Sequence, residues 1–128
     1  MKQKIIIALL TSILFVGCTT LAQIRSENRQ NLLHLSVGAS KQDVLRIMGT
    51  TTKKASDGSV ITNPYRTEMY KVNDNTFELL LYYTDLKKRD GAITDDELTP
   101  IVIKNGKVDG WGWSYWNNII KKYEIRVR

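Results

Sequence analysis

The chain has 128 residues, room for one domain and little more. Apolar residues make up 42% and charged residues 25%, a globular balance that excludes a disordered or fibrous protein. The formal net charge of +6 is a weak signal for nucleic acid, because bases and acids are interleaved, and an anionic membrane surface would suit it as well. One cysteine and one histidine leave neither an internal disulfide nor a metal-ligand cluster, so no cofactor, metal or nucleic-acid partner is expected.

The N-terminus carries the clearest targeting pattern. Lys2 and Lys4 precede the apolar run Ile5 to Val16, which is too short for a membrane span of about 20 residues but suits the core of a signal peptide. Taking those lysines out of the 19 basic residues leaves 17 against 13 acidic ones. Phe15-Val16-Gly17-Cys18 then resembles a bacterial lipobox, with Phe15 where leucine is usual. The resemblance implies removal of residues 1–17 and a lipid-modified Cys18 as mature N-terminus, held to the membrane by its acyl chains. Thr19, in place of aspartate, would favour the outer membrane. Residues 18–26 read as a polar tether, and 27–128 as a single α+β domain.

Within that domain, Arg25 to Leu35 predicts a short helix gathering Leu32, Leu33 and Leu35 at its end, with Gly38 as a break. The stretch after it predicts a second helix: Ser40 and Asp43 stand in capping-box positions, Val44, Ile47 and Met48 share a face with Leu45 beside them, and Gly49 stops it. Tyr65–Val72 and Thr76–Thr84 predict a hairpin, the continuous Leu79–Tyr83 run marking a strand covered on both faces. A polar loop follows to Leu98, then two strands around Asn105-Gly106, a type I′ turn signal, with Pro100 at the start of the first. Residues 117–128 fit a helix or an edge strand equally. The expected fold is therefore α+β, with two short N-terminal helices packed on an antiparallel meander of three to four strands.

Few residues invite a chemical reading. Asp90 to Leu98 echoes half of a calcium loop, but Leu86 and Lys88 stand where the first ligands belong, so a solvated acidic turn is expected. Asp95, Asp96 and Glu97 are expected to be solvated rather than an acid–base pair, and His34, among leucines, to be a partly buried structural residue. No catalysis is expected. Gly110 to Trp116 holds all three tryptophans. As a strand it would place Trp111, Trp113 and Tyr115 on one face and Gly112, Ser114 and Trp116 on the other. That stretch is either an aromatic face packed under the helices or a partner surface formed by Trp111, Trp113, Tyr115 and Trp116, with Trp116 its most exposed member.

Around the two helices, Leu35, Gly38, Ser40, Val44, Met48 and Gly49 resemble the SmpA/OmlA (BamE-like) family of small outer-membrane lipoproteins. Thr50-Thr51-Thr52 departs from it, since a proline is common there. "YRTEMYK", "DGAITDDELTPIVIKNGKV" and "GWG" give a closer likeness to a related set of short bacterial lipoproteins of unknown function. The resemblance implies a lipid-anchored binding or scaffold module on the periplasmic face of the outer membrane. It would support envelope assembly or maintenance through a protein partner. An inhibitor or sensor acting on an envelope enzyme, and a small-ligand or metal binder using Asp90–Glu97, are the alternatives.

Overall fold

A computed structural model describes residues 19–127. The expected signal segment, its lipobox Phe15, Val16 and Gly17, and Cys18 lie outside the described residues. Helices α1 (Leu21–Leu32) and α2 (Lys41–Met48) come first, followed by strands β1 (Thr52–Lys54), β2 (Val60–Thr62), β3 (Arg66–Val72) and β4 (Asn75–Tyr83). A single 3-10 turn at Asp95–Glu97 leads into β5 (Leu98–Lys104), β6 (Lys107–Trp111) and α3 (Trp113–Tyr123). Strands β3-β4-β5-β6 form one antiparallel sheet in chain order, and β1-β2 a separate small hairpin. The α+β class and the antiparallel sheet agree with expectation; the C-terminal helix and the small hairpin extend it.

Strand β4 organises the core. Leu79 to Tyr83 are each no more than 2% exposed, so both faces of the strand are covered. Each such side chain contributes about 1.5–3 kcal/mol of burial before chain entropy is counted. Phe77, Leu79, Leu81 and Tyr83 point to one side, where Trp116 and Ile119 of α3 and Ile24 of α1 pack. Leu80 and Tyr82 point to the other, against Val44 and Met48 of α2. Helix α2 is held locally by a reciprocal cap: Ser40 Oγ accepts from Asp43 N–H at 3.1 Å, and an Asp43 oxygen accepts from Ser40 N–H at 3.3 Å.

The sheet's two edges differ. Gly38 N–H donates to Val108 O and Val108 N–H to Ala39 O, both at 2.8 Å, so the segment entering α2 covers the outer edge of β6. Among the described residues no strand pairs with the outer edge of β3. The β5–β6 turn has positive φ at Asn105 (51°) and Gly106 (84°), as a type I′ turn requires.

Helix α1 crosses the end of β4 and buries Ile24 and Asn28 on that side. Asn28 and Asn63 exchange amide hydrogen bonds at 3.1 and 3.2 Å, while Asn28 Nδ2 also donates to Tyr83 O and Asn63 Nδ2 to Met48 O. This buried amide clasp ties α1, the end of α2, the residue after β2 and the end of β4 at one point. Both amides are satisfied, which offsets the cost of burying them.

Several expectations are corrected. Helix α1 begins at Leu21 and ends at Leu32, so residues 21–26 of the expected tether are helix and Leu33 is 82% exposed. The cause is a capping box in which Thr20 and Gln23 bond each other's backbone N–H at 2.9 and 3.1 Å. His34, expected to be partly buried, is exposed in the turn that follows. The tryptophan-rich stretch is not one strand. Gly112, at φ +97°, turns the chain from β6 into α3. Trp111 therefore packs on the α2 side and Trp113, Tyr115 and Trp116 on the other.

Candidate functional site

A pocket of about 480 Å³ opens where the start of α1 meets the β1–β2 turn and the loop that follows β4. Each wall has a local reason for its shape. Helix α1 contributes Leu21, Ala22 and Arg25 on the first two turns set by the Thr20 cap. The β1–β2 turn contributes Ser56, Asp57 and Ser59; Ser59 N–H donates to Asp57 Oδ1 at 2.9 Å, and Gly58 takes the positive φ the turn needs. Ser56 N–H donates to Thr19 O at 2.9 Å, which pins this turn to the residue next to Cys18.

The third wall is the loop carrying Leu86, Lys88, Arg89 and Ile93. The loop is fastened at its base by Glu97, which is 1% exposed. Its carboxylate accepts from Lys87 N–H at 3.1 Å, Thr94 N–H at 3.0 Å and the Thr94 hydroxyl at 3.1 Å. The Thr94 N–H bond is the main reason its carboxyl lies below the ordinary glutamate value; the bond from Lys87 N–H adds to this, and burial opposes it. The expectation that the whole run Asp95, Asp96 and Glu97 is solvated therefore holds for two of its members and fails for Glu97. Trp113 completes the base, its indole N–H donating to Leu98 O at 2.8 Å. Asp95 pairs with Arg66 of β3 at 2.8 Å.

The electrostatics of the pocket are lopsided. Arg25 lies over the Tyr83 ring, 5.3 Å from its centroid, and donates to the Tyr83 hydroxyl at 2.8 Å. Lys88 and Arg89 are exposed, and among the described residues neither makes an ion pair, whereas neighbouring Lys87 is paired with Asp85 at 2.8 Å. Against these three cations stands one carboxylate, Asp57, held below the usual carboxylate range first by the Ser59 N–H. The lining thus offers cations, serine hydroxyls and apolar carbon. That is equipment for binding an anion attached to an apolar body.

The aromatic residues singled out in the sequence do not converge on this pocket. Trp111, Trp113 and Tyr115 are half-buried. Trp116, expected to be the most exposed of them, is 1% exposed, its ring 5.3 Å from that of Tyr70 and 6.1 Å from that of Phe77. It serves the core and has no surface to offer a partner. Among the described residues no group of three or more His, Cys, Asp or Glu is placed to hold a metal ion, and no helix is long and apolar enough to cross a membrane. The pocket itself has no sequence motif. Its one advance signal is the Thr20-x-x-Gln23 cap, which places α1 directly after Cys18.

The profile of a family described as "Protein of unknown function (DUF3192)" matches residues 19–118, and the chain belongs to that family. No curated protein and no solved structure matches it.

Proposed function

We propose that this DUF3192 protein is a lipid-anchored binding or scaffold module, held through acylated Cys18 to the periplasmic face of the outer membrane and serving envelope assembly or maintenance without catalysis. The observation that carries the reading is the position of α1. Three residue steps separate Cys18 from Leu21, at most about 10 Å of extended chain. A lipid on Cys18 would therefore hold the domain against the bilayer rather than on a leash, with the Arg25, Lys88 and Arg89 pocket at the attached end. Two or three acyl chains make such attachment stable, where one would not. The likeness to the SmpA/OmlA family and to short lipoproteins of unknown function supports the same reading. The partner it would present itself to is an envelope protein.

Radiolabelled palmitate incorporation, with membrane fractionation of the native chain and of Cys18→Ser, tests this. Label and outer-membrane location should both be present in the native chain and lost in the variant. A native chain that is unlabelled and found free of membranes overturns the reading.

A further inference from the structure

We propose that the pocket beside α1 takes the phosphate-bearing headgroup of an anionic membrane lipid. Charge is the first argument. Arg25, Lys88 and Arg89 face a single carboxylate, and Asp57 is already engaged by the Ser59 N–H. Arg25 spends one bond on the Tyr83 hydroxyl, and a guanidinium carries five N–H donors in a fork that matches a phosphate. Ser56 and Ser59 add hydroxyls on the facing wall.

Size and lining are the second argument. A volume of about 480 Å³ is in the range of small-molecule sites and far exceeds one phosphate. Leu21, Leu86 and Ile93 supply apolar wall beside the cations. An occupant that is anionic at one end and carbon-bearing at the other uses both parts of the lining; a free anion uses one. Position is the third argument. Ser56, on the pocket wall, bonds the carbonyl of Thr19, the residue next to Cys18, so the pocket lies at the end of the domain that the anchor would hold to the bilayer. The pocket's nearness to the bilayer rests on the anchored reading; its charge and its apolar lining do not.

The test titrates the purified full chain, in a neutral detergent, with dihexanoyl phosphatidylglycerol, dihexanoyl phosphatidylcholine and inorganic phosphate, followed by calorimetry. Phosphatidylglycerol should saturate one site and bind about tenfold or more tightly than phosphatidylcholine. Because each basic residue near an anionic lipid is worth several-fold in affinity, Lys88→Glu with Arg89→Glu should weaken it by about tenfold or more. Both residues are exposed, so the melting temperature of that variant should match the native one. Equal binding of the two lipids, or phosphatidylglycerol binding unmoved by the double variant, overturns the proposal. Inorganic phosphate binding as tightly as phosphatidylglycerol also overturns it, and makes the pocket a site for the free anion. Palmitate labelling of the native chain, read beside its lipid titration, separates the two readings. Discrimination between the lipids in a chain that takes up no palmitate keeps the headgroup site and removes the anchor. A labelled chain without discrimination keeps the anchor and removes the site.

Discussion

Replacing Asn28 by alanine strikes the buried clasp where four elements meet. The change removes two donated bonds, to Asn63 Oδ1 at 3.2 Å and Tyr83 O at 2.8 Å, and the acceptor for Asn63 Nδ2. Asn63 Nδ2 keeps Met48 O at 3.3 Å, but Asn63 Oδ1 is left with no donor among the described residues. An orphaned buried acceptor costs about 1–3 kcal/mol, and the vacated amide volume adds about 1, so the expected loss is about 2–4 kcal/mol. With a urea dependence of about 1.5 kcal/mol/M for a domain of this size, the unfolding midpoint should fall by about 1.3–2.7 M. Circular dichroism and tryptophan fluorescence, the latter reporting on buried Trp116, should give the same midpoint. The decisive step is the double variant Asn28→Ala, Asn63→Ala. It removes the orphan along with the clasp, so its loss should fall short of the sum of the single losses by about 1 kcal/mol or more. Additive losses would mean that the two amides are neighbours without being coupled, and the reasoning would fail.

Trp116→Ala should cost about 3–5 kcal/mol and lower the melting temperature by about 12–20 °C; a change under about 2 °C would return Trp116 to the surface. Gly110→Ala should cost about 1–3 kcal/mol, because the new Cβ would lie 2.7 Å from the Tyr115 ring, whose hydroxyl is tied to Asp109. Shortening Tyr115 as well should recover part of that loss, and a Gly110→Ala chain as stable as the native one would show the contact to be soft. Stability should also depend on Glu97 at low pH. Its folded pKa lies below the ordinary 4.5, so its contribution is complete above about pH 4.5 and disappears as pH falls through the folded value. Native chain and Glu97→Gln should accordingly differ in melting temperature at pH 7 and converge in acid; a gap that is constant with pH contradicts the assignment.

The parts of the fold legible in the sequence are those specified by neighbours. The Ser40–Asp43 cap and Gly49 bracket α2, Asn105-Gly106 sets the last hairpin, and the Leu79–Tyr83 run marks a doubly covered strand. The start of α1 was written in Thr20-x-x-Gln23, but its buried face alternates Ile24 with the polar Asn28, which hides the helical period. Helix α3 was hidden by alternation around Trp111 and Trp113 that imitates a strand; only the positive φ of Gly112 divides it. Strands β1 and β2 are three residues each, too short for either period to register. Glu97 was legible as the last member of a Thr94-x-x-Glu97 cap, a local signal outweighed by the acidic run around it. The pocket was not legible, because residues near positions 21, 57 and 88 come together only after the chain folds.

The covered edge of β6 has a consequence for the order of events during synthesis. Residues 38–41 are made early, yet the carbonyls and N–H groups they pair with belong to Gly106–Val108, near the end of the chain. Val44 and Met48 likewise wait for Leu80, Tyr82, Ile101 and Ile103. An eight-residue helix is marginal in water by itself. The segment entering α2 therefore leaves the ribosome long before its edge partner exists, and its edge bonds form only when the last strand follows. Anything that holds the nascent chain has its longest opportunity on this segment, and a truncation before residue 106 leaves it without its edge partner.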